Sequence, residues 1–404
     1  MIPASFLLES FISQHVTFRK ASLFSRDLQS HQTALQAGVE GRSVLVIGGA
    51  GTIGAAFIKA LLPFKPARLC VVDISENGLT ELTRDLRSTA DQYMPEDYKT
   101  YPVNFGNRVF ERMFRQQGPF DIVAHFAAHK HVRSEKDRYS IEAMLENNVL
   151  HTVQLLDLLL EQPPKHFFCV STDKAANPAN VMGASKKLME EAVLAYAKML
   201  PATTARFANV AFSNGSLPAG FLERIAKKQP LSAPSDVKRY FVSPQESGEL
   251  CLLACLLGEA GDIFFPKLEA PQMLTFSGIA DALLRQLGYE PQLCATEELA
   301  REKALQSKSS TWPVYYFESD TSGEKSFEEF YTNEEWVDWD RLQALGIVKG
   351  QAQHDVGSIR AVCASLRDLF ERPDLEKKDL VAVLKQLVPS FQHVETGKGL
   401  DQKM

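Results

Sequence analysis

A chain of 404 residues, 45% of them hydrophobic and 23% charged, can bury a large core and is too long for one minimal folding unit, so two structural domains are expected. A formal net charge of -6 gives no overall pull toward nucleic acid or anionic lipid, so any anion site has to be local. No apolar run approaches the roughly 20 residues that span a bilayer, and the opening Met1 to Phe6 stretch has no basic n-region or cleavage site, so a soluble cytoplasmic protein without a membrane span is expected.

Residues 1–40 read as a polar, partly helical extension that covers a surface, with Ser25 to Gln32 as its hydrophilic centre. From Gly41 onward, short apolar runs alternate with amphipathic stretches: Ser43–Ile47, Arg68–Val72, Asp121–Phe126, His166–Val170 and Thr203–Phe207. Helices are expected over Ile141 to Leu160 and Met182 to Leu200, the second closed by Pro201. This alternation predicts an α/β fold, a Rossmann-type doubly wound parallel sheet with crossover helices over residues 41–207. Beyond residue 208 the order loosens, with Pro218, Pro230, Pro234 and Pro244 as punctuation. Residues 208–350 are expected to form a smaller mixed substrate-side domain partly interleaved with the Rossmann core. Residues 351–404 are expected to form a C-terminal helical segment with a disordered tail from Thr396. Trp312, Trp336 and Trp339 could frame a lid or a stacking wall, although burial in a core is the commoner fate of such residues. Cys70, Cys169, Cys251, Cys255, Cys294 and Cys363 lie mostly in apolar segments and read as reduced core residues. Cys251 and Cys255 share a helical face, but no second Cys/His pair accompanies them, so no metal site is expected.

Directly after the first apolar run come Gly48, Gly51 and Gly54 at G-x-x-G-x-x-G spacing, with Thr52 and Ile53 between the last two as a helix begins. Such a turn aims backbone N–H groups and a helix N-terminus at a pyrophosphate with no side chain in the way. Asp73, at the end of the second run, would accept hydrogen bonds from the adenosine ribose hydroxyls, and its charge disfavours a 2′-phosphate, so NAD is expected over NADP. The competing reading is a plain tight turn with Asp73 as a helix N-cap.

The next chemistry-bearing segment is Ser171-Thr-Asp-Lys-Ala175, followed by Asn177-Pro178 and Met182-Gly-Ala-Ser-Lys186. With Ala127-Ala-His-Lys-His-Val132, Asn148-Val149, Arg206-Phe-Ala-Asn-Val210, Ser213-Asn-Gly-Ser216 and Lys238-Arg-Tyr-Phe241, it resembles the extended short-chain dehydrogenase/reductase superfamily. Within it, the chain is similar to the polysaccharide-biosynthesis UDP-N-acetylglucosamine 4,6-dehydratases. The resemblance spans about residues 41–265, and Ser322 to Glu329 looks like the family's later Pro-Gly-Glu-Lys segment; residues 1–40 and 340–404 lie outside it. The superfamily's usual pair is Tyr-x-x-x-Lys; here Met182 holds the tyrosine position and Lys186 is kept, as in a subgroup of the dehydratases. A thioether cannot take a proton at neutral pH, so another group has to deprotonate the substrate 4-hydroxyl.

The resemblance implies a nicotinamide-dependent lyase acting on a nucleotide-linked sugar in polysaccharide or glycan biosynthesis. A UDP-N-acetylhexosamine is the expected substrate, and a homo-oligomer formed through helices beside the Met182 helix the expected assembly. It implies Asp173 as the acid for the departing oxygen, Lys174 as the base at C5, Thr172 on the 4-oxygen, and Lys186 on the nicotinamide ribose with Met182 beside it. Cofactor contacts are expected from Gly48, Gly51, Thr52, Ile53, Gly54, Asp73, Asn104, Ala127, Ala128, Lys130 and Lys186, and substrate contacts from His131, Asn209, Ser213 and Arg239. For Lys174 to act as a base, its pKa has to fall well below about 10.4, which burial and the cations Lys186 and Lys130 could cause. Arg206, Lys238 and Arg239 are cations suited to a diphosphate. Glu324, Lys325, Glu328 and Glu329 fall at helical spacings, read as an ordinary charged face, and are given no catalytic role. The alternatives are a 4-epimerase or 4-ketoreductase, against which Met182 argues, and a non-catalytic NAD-binding protein, against which the Asp173-Lys174 pair argues.

Overall fold

The computed structural model describes residues 6–306, 310–320 and 323–393. The tail expected from Thr396, the first five residues of the extension, and Ser322 lie outside them. Among the described residues the main sheet contains β1 (Ser43–Ile47), β2 (Arg68–Asp73), β3 (Asp97–Pro102), β4 (Ile122–His125), β5 (His166–Val170), β6 (Ala202–Ala205), β7 (Asp262–Pro266), β8 (Val337–Asp338) and β9 (Leu345–Lys349). Their spatial order is β8-β9-β7-β6-β5-β4-β1-β2-β3. Strands from β3 across to β7 are parallel, while β9 and β8 add antiparallel at the far edge. The chain leaves β1 toward β2 and β3 and returns on its other side with β4. Doubly wound sheets bind ligands at the carboxyl ends of the strands beside such a reversal.

The apolar runs became strands because helices cover both sheet faces, so β1, β4 and β5 are buried almost throughout. The Asp97–Pro102 strand is not among those runs: it is an edge strand, polar and only partly covered. On one face lies the Val181–Tyr196 helix, which carries Met182 and Lys186 and is buried nearly all round. The C-terminal helices Val356–Phe370 and Lys377–Leu387 pack in the same apolar cluster and cover it within the same chain. The expected long helix from Ile141 is one run containing a π-helical turn, Glu146–Leu150, which buries Asn148. Such turns widen a helix and often carry a functional side chain.

On the opposite face, the Thr52–Leu61 helix packs on the Pro244–Leu257 helix. The N-terminal extension is tied to this layer. Arg19 donates to both carboxylate oxygens of Glu246, each at 2.7 Å, Phe24 is fully buried, and Asp27 accepts from the backbone of Gln343 and Ala344 at 2.7 and 2.8 Å.

Residues 208–350 are divided between the main sheet, which takes β7, β8 and β9, and a smaller unit. In the latter, strands Leu231–Pro234, Glu290–Leu293 and Thr311–Phe317 pair in parallel, with helices Leu217–Ala226 and Phe276–Gln286 around a separate apolar cluster. Trp312 belongs to that cluster and donates to the Gln229 carbonyl at 3.0 Å, whereas Trp336 and Trp339 stay exposed. All six cysteines are free and buried. No helix among the described residues is long and apolar enough to cross a membrane.

Candidate active site

The glycine turn follows β1 and is held by its neighbours: Gly48 N donates to the Val72 carbonyl at 2.7 Å and adopts φ 78°. A Cβ on Gly48 would lie 2.4 Å from Ala127 N, and one on Gly54 would lie 2.3 Å from the Gly48 carbonyl oxygen, so packing within the chain alone demands both glycines. Gly51 differs. It caps the Thr52–Leu61 helix without a side chain, and a Cβ there would meet only the Gly48 carbonyl oxygen at an ordinary 3.5 Å. The chain itself therefore has no packing need for glycine at 51, at the place where exposed helix N–H groups would receive an anion. Ile53 sits beside it in the first helical turn, and Thr52 Oγ1 accepts from Asn214 N at 2.9 Å, tying the loop after Ser213 to the turn.

Asp73 ends β2 beside this turn and accepts from Ala50 N at 3.0 Å and Ser75 N at 2.9 Å. The N-cap of the next helix is Ser75, which accepts from Gly78 N, so Asp73 is not the cap that the competing reading made it. Asn104 follows β3 and holds its loop through Gly106 N at 2.8 Å. Ala127 and Ala128 follow β4, where the backbone of His129 is clamped by Asn148 in both directions, at 2.8 and 3.0 Å. Lys130 Nζ donates to the Asn214 carbonyl at 2.8 Å, and the exposed His131 lies against Gly215. Asn209 pairs with Phe241 in a short ladder, and Ser213 is buried at the loop's start.

At the carboxyl end of β5 the chain turns through Thr172 into a short 3₁₀ segment, Asp173–Ala175. Thr172 Oγ1 and Lys174 Nζ both donate to the same oxygen, Asp173 Oδ1, at 2.8 and 3.0 Å. Asp173 is 4% exposed. Met182 and Lys186 share a helix as expected. Met182 is enclosed in the apolar cluster, and Lys186 Nζ donates to the Val170 carbonyl at 2.9 Å. Burial pulls the Lys186 ammonium below the usual lysine range.

Three expectations are corrected. Arg206 does not face a diphosphate: it is fully buried in bidentate pairs with Glu190 and Glu335, where it braces Ser171 through the hydroxyl's 2.6 Å bond to Glu190. The Lys174 pKa is not lowered. Burial alone would depress it, but Asp173 and Glu328 together outweigh burial and the repulsion from Arg239, so it lies above the usual lysine value. Residues 324–329 are not a charged helix face, because this segment is an irregular strap laid across the loop that follows β5. Its carbonyl at Gly323 accepts from Asn180 Nδ2 at 2.9 Å, Lys325 Nζ reaches the Asn177 carbonyl at 2.5 Å, Glu329 accepts from Asn177 Nδ2 at 2.8 Å, and the Phe330 carbonyl accepts from Arg206 at 2.9 Å.

Glu328, on that strap, is the site residue that sequence reasoning missed. It is 5% exposed, with Oε1 3.6 Å from Lys174 Nζ and 3.8 Å from Arg239 Nη2. Burial pushes its carboxyl above the usual range, against the pull of Lys174. The resemblance of this stretch to a family segment was the available signal; charge spacing misread it. Arg239 is also buried, and its Nη1 donates to the carbonyls of Lys238 and Lys325 at 2.9 and 3.0 Å, while the Lys238 side chain is exposed.

A family model described as polysaccharide biosynthesis protein matches residues 44–349. An uncharacterized membrane protein of Methanocaldococcus jannaschii is 29% identical over 76% of this chain and 85% of its own length. The inverting UDP-N-acetylglucosamine 4,6-dehydratase of Campylobacter jejuni is 26% identical over 62% of this chain and 73% of its own. A UDP-glucose 4-epimerase of Rickettsia typhi is 30% identical over 61% and 71%. Among solved structures, Pen from Bacillus thuringiensis aligns over 78% of this chain and 89% of its own with a TM-score of 0.61 at 21% identity, a likeness of fold.

Proposed function

This chain belongs to the polysaccharide biosynthesis protein family of extended short-chain dehydrogenase/reductases, and from that premise we propose that it is a nucleotide-sugar 4,6-dehydratase that uses NAD, with UDP-N-acetylglucosamine as the first substrate to test. The observation that carries the reading is the trio at the end of β5, where Thr172 and Lys174 converge on Asp173 Oδ1 while Met182 stands where a proton-accepting tyrosine would be needed. The activity of the Campylobacter relative supports it.

In this reading the Gly51 turn and the Thr52 helix N-terminus receive the pyrophosphate, Asp73 the adenosine ribose, and Lys186 the nicotinamide ribose. NAD held there would supply the hydride acceptor for C4 and the hydride donor for C6. The 4-hydroxyl proton has a path through Thr172 Oγ1 to Asp173, 2.8 Å away, which makes Asp173 the acid that the departing 6-hydroxyl requires. Lys174 removes the C5 proton, acidified by the 4-ketone, and returns a proton there once water has left. Arg239 Nη2, 3.8 Å from both Glu328 and Glu324, partly offsets the charge of these carboxylates.

The retained Lys186 and the 30% identity to a 4-epimerase favour epimerisation as the second reading. Incubating protein and NAD with UDP-, GDP- and dTDP-linked sugars separates the two by mass. A 4,6-dehydratase yields a product lighter by one water with no net NADH; an epimer of unchanged mass, or stoichiometric NADH with an oxidised sugar, overturns the proposal.

A further inference from the structure

The Lys174 amine has to be neutral to remove the C5 proton, yet it sits between two carboxylates. Asp173 Oδ1 lies 3.0 Å from Nζ on one side and Glu328 Oε1 3.6 Å on the other. Asp173 is already committed, in the reading above, to the proton that travels from the 4-oxygen to the 6-oxygen. Glu328 has no such duty. It comes from a distant strap, and four contacts to Asn177, Asn180 and Arg206 hold that strap on the catalytic loop. Burying a carboxylate merely to brace a loop is costly unless the charge is used or fully paired, and the nearest cation atoms of Lys174 and Arg239 are 3.6 and 3.8 Å away, a loose pairing whose Lys174 gap has to close to hydrogen-bond length on substrate binding for a proton to pass. The other charged groups around the pair are Asp173, Arg239 and Lys325, with Glu324 on the far side of Arg239 at 3.8 Å.

We propose that Glu328 is the proton acceptor for Lys174: it takes one proton from the resting ammonium, leaves the amine free to remove the C5 proton, and returns the borrowed proton when turnover ends. This rests on the dehydratase reading and acts through Lys174, so Glu328 is a positioning residue. The exchange balances. Lys174 ammonium and Glu328 carboxylate become amine and carboxylic acid; C5 gives its proton to the amine and receives one back after water leaves; Glu328 then returns its proton. The pair's single shared proton makes the base available without reference to bulk pH, and the burial of the Glu328 side chain itself, 5% exposed on an otherwise largely exposed strap, limits its exchange with solvent.

The test uses the full chain with NAD and UDP-N-acetylglucosamine, and compares wild type with Glu328→Gln and Glu328→Asp. In wild type, kcat is expected to vary little between about pH 6.5 and 8.5. In Glu328→Gln, Lys174 has to lose its proton to solvent, so kcat at pH 7 is expected to fall about 10²-fold, of the size of one positioned proton-transfer group, and to recover about tenfold per pH unit on raising the pH. Glu328→Asp is expected to keep the flat profile. A second readout needs no turnover: with ¹³C-labelled lysine, the Lys174 resonance, assigned by its loss in Lys174→Ala, should titrate at least one pH unit lower in Glu328→Gln, as expected when one opposite charge is removed. A folded Glu328→Gln enzyme with wild-type kcat and a flat profile overturns the proposal, as does an unshifted Lys174 titration. If the titration shifts but no sugar loses water even in wild type, the reaction assignment fails, and the proton-acceptor role falls with it while the pairing of the two side chains stands.

Discussion

Arg206 and Glu190 meet as a fully buried bidentate pair beneath the loop that follows β5, with Nε to Oε1 at 3.0 Å and Nη2 to Oε2 at 2.9 Å. Burial would raise the Glu190 carboxyl, but Arg206, Lys187 and Ser171 hold it below the usual carboxylate range. Arg206→Met leaves that charge without its partner, and a loss of about 3–5 kcal/mol in unfolding free energy is expected by denaturant titration. Because the folded value is depressed, this contribution is complete above about pH 4.3 and is lost as the pH falls through the lower folded value. A variant as stable as wild type at pH 7 contradicts the role.

His125, buried at the end of β4, titrates in the opposite chemical sense with the same pH direction. Burial, aided by the Lys186 charge, pushes it down to about 3, so it stays neutral in the folded chain while the unfolded chain protonates near pH 6.5. Stability should therefore be intact above about pH 6.5 and decline by up to ~1.4 kcal/mol per pH unit below it. Unfolding curves at several pH values should be flatter for His125→Leu over that window; an identical slope would dismiss His125 as the source.

For the glycine turn, Gly51→Val sets a branched side chain where only the cofactor is expected, and Asp73→Ala removes the carboxylate beside it. Calorimetric titration with NAD should show at least tenfold weaker binding for each, the size of one or two charge-assisted hydrogen bonds lost, about 1.5–3 kcal/mol. Unchanged affinity in both folded variants would place the cofactor elsewhere.

Within the β5 trio, Lys174→Ala should abolish solvent deuterium entry at C5 and product formation. Asp173→Asn should slow water loss by about 10²-fold or more. Met182→Leu exchanges one apolar side chain for another of similar volume in a packed cluster and should keep substantial kcat and cost less than about 1.5 kcal/mol in stability. A dead but folded Met182→Leu enzyme would reopen the assignment.

The parallel sheet and the glycine turn were legible in the order of residues, because strand burial follows apolar runs and the turn follows spacing; the Thr172-Asp173-Lys174 segment was singled out by its family resemblance, and its hydrogen bonds lie within one loop. The edge strand Asp97–Pro102 was not legible, since half its surface faces water and its composition carries no apolar run. Charge alone could not tell Arg206 from Arg239, or Glu328 from Glu324. All four are ordinary surface residue types, and what each one does depends on which distant group it meets. Only the packing of a strap some 150 residues downstream onto the β5 loop decided that Glu328 stands beside Lys174. Ion pairs between distant segments depend on position in space, and local sequence does not encode that position. For the same reason the expected depression of the Lys174 pKa came out reversed: burial was foreseeable, but the second carboxylate came from the fold.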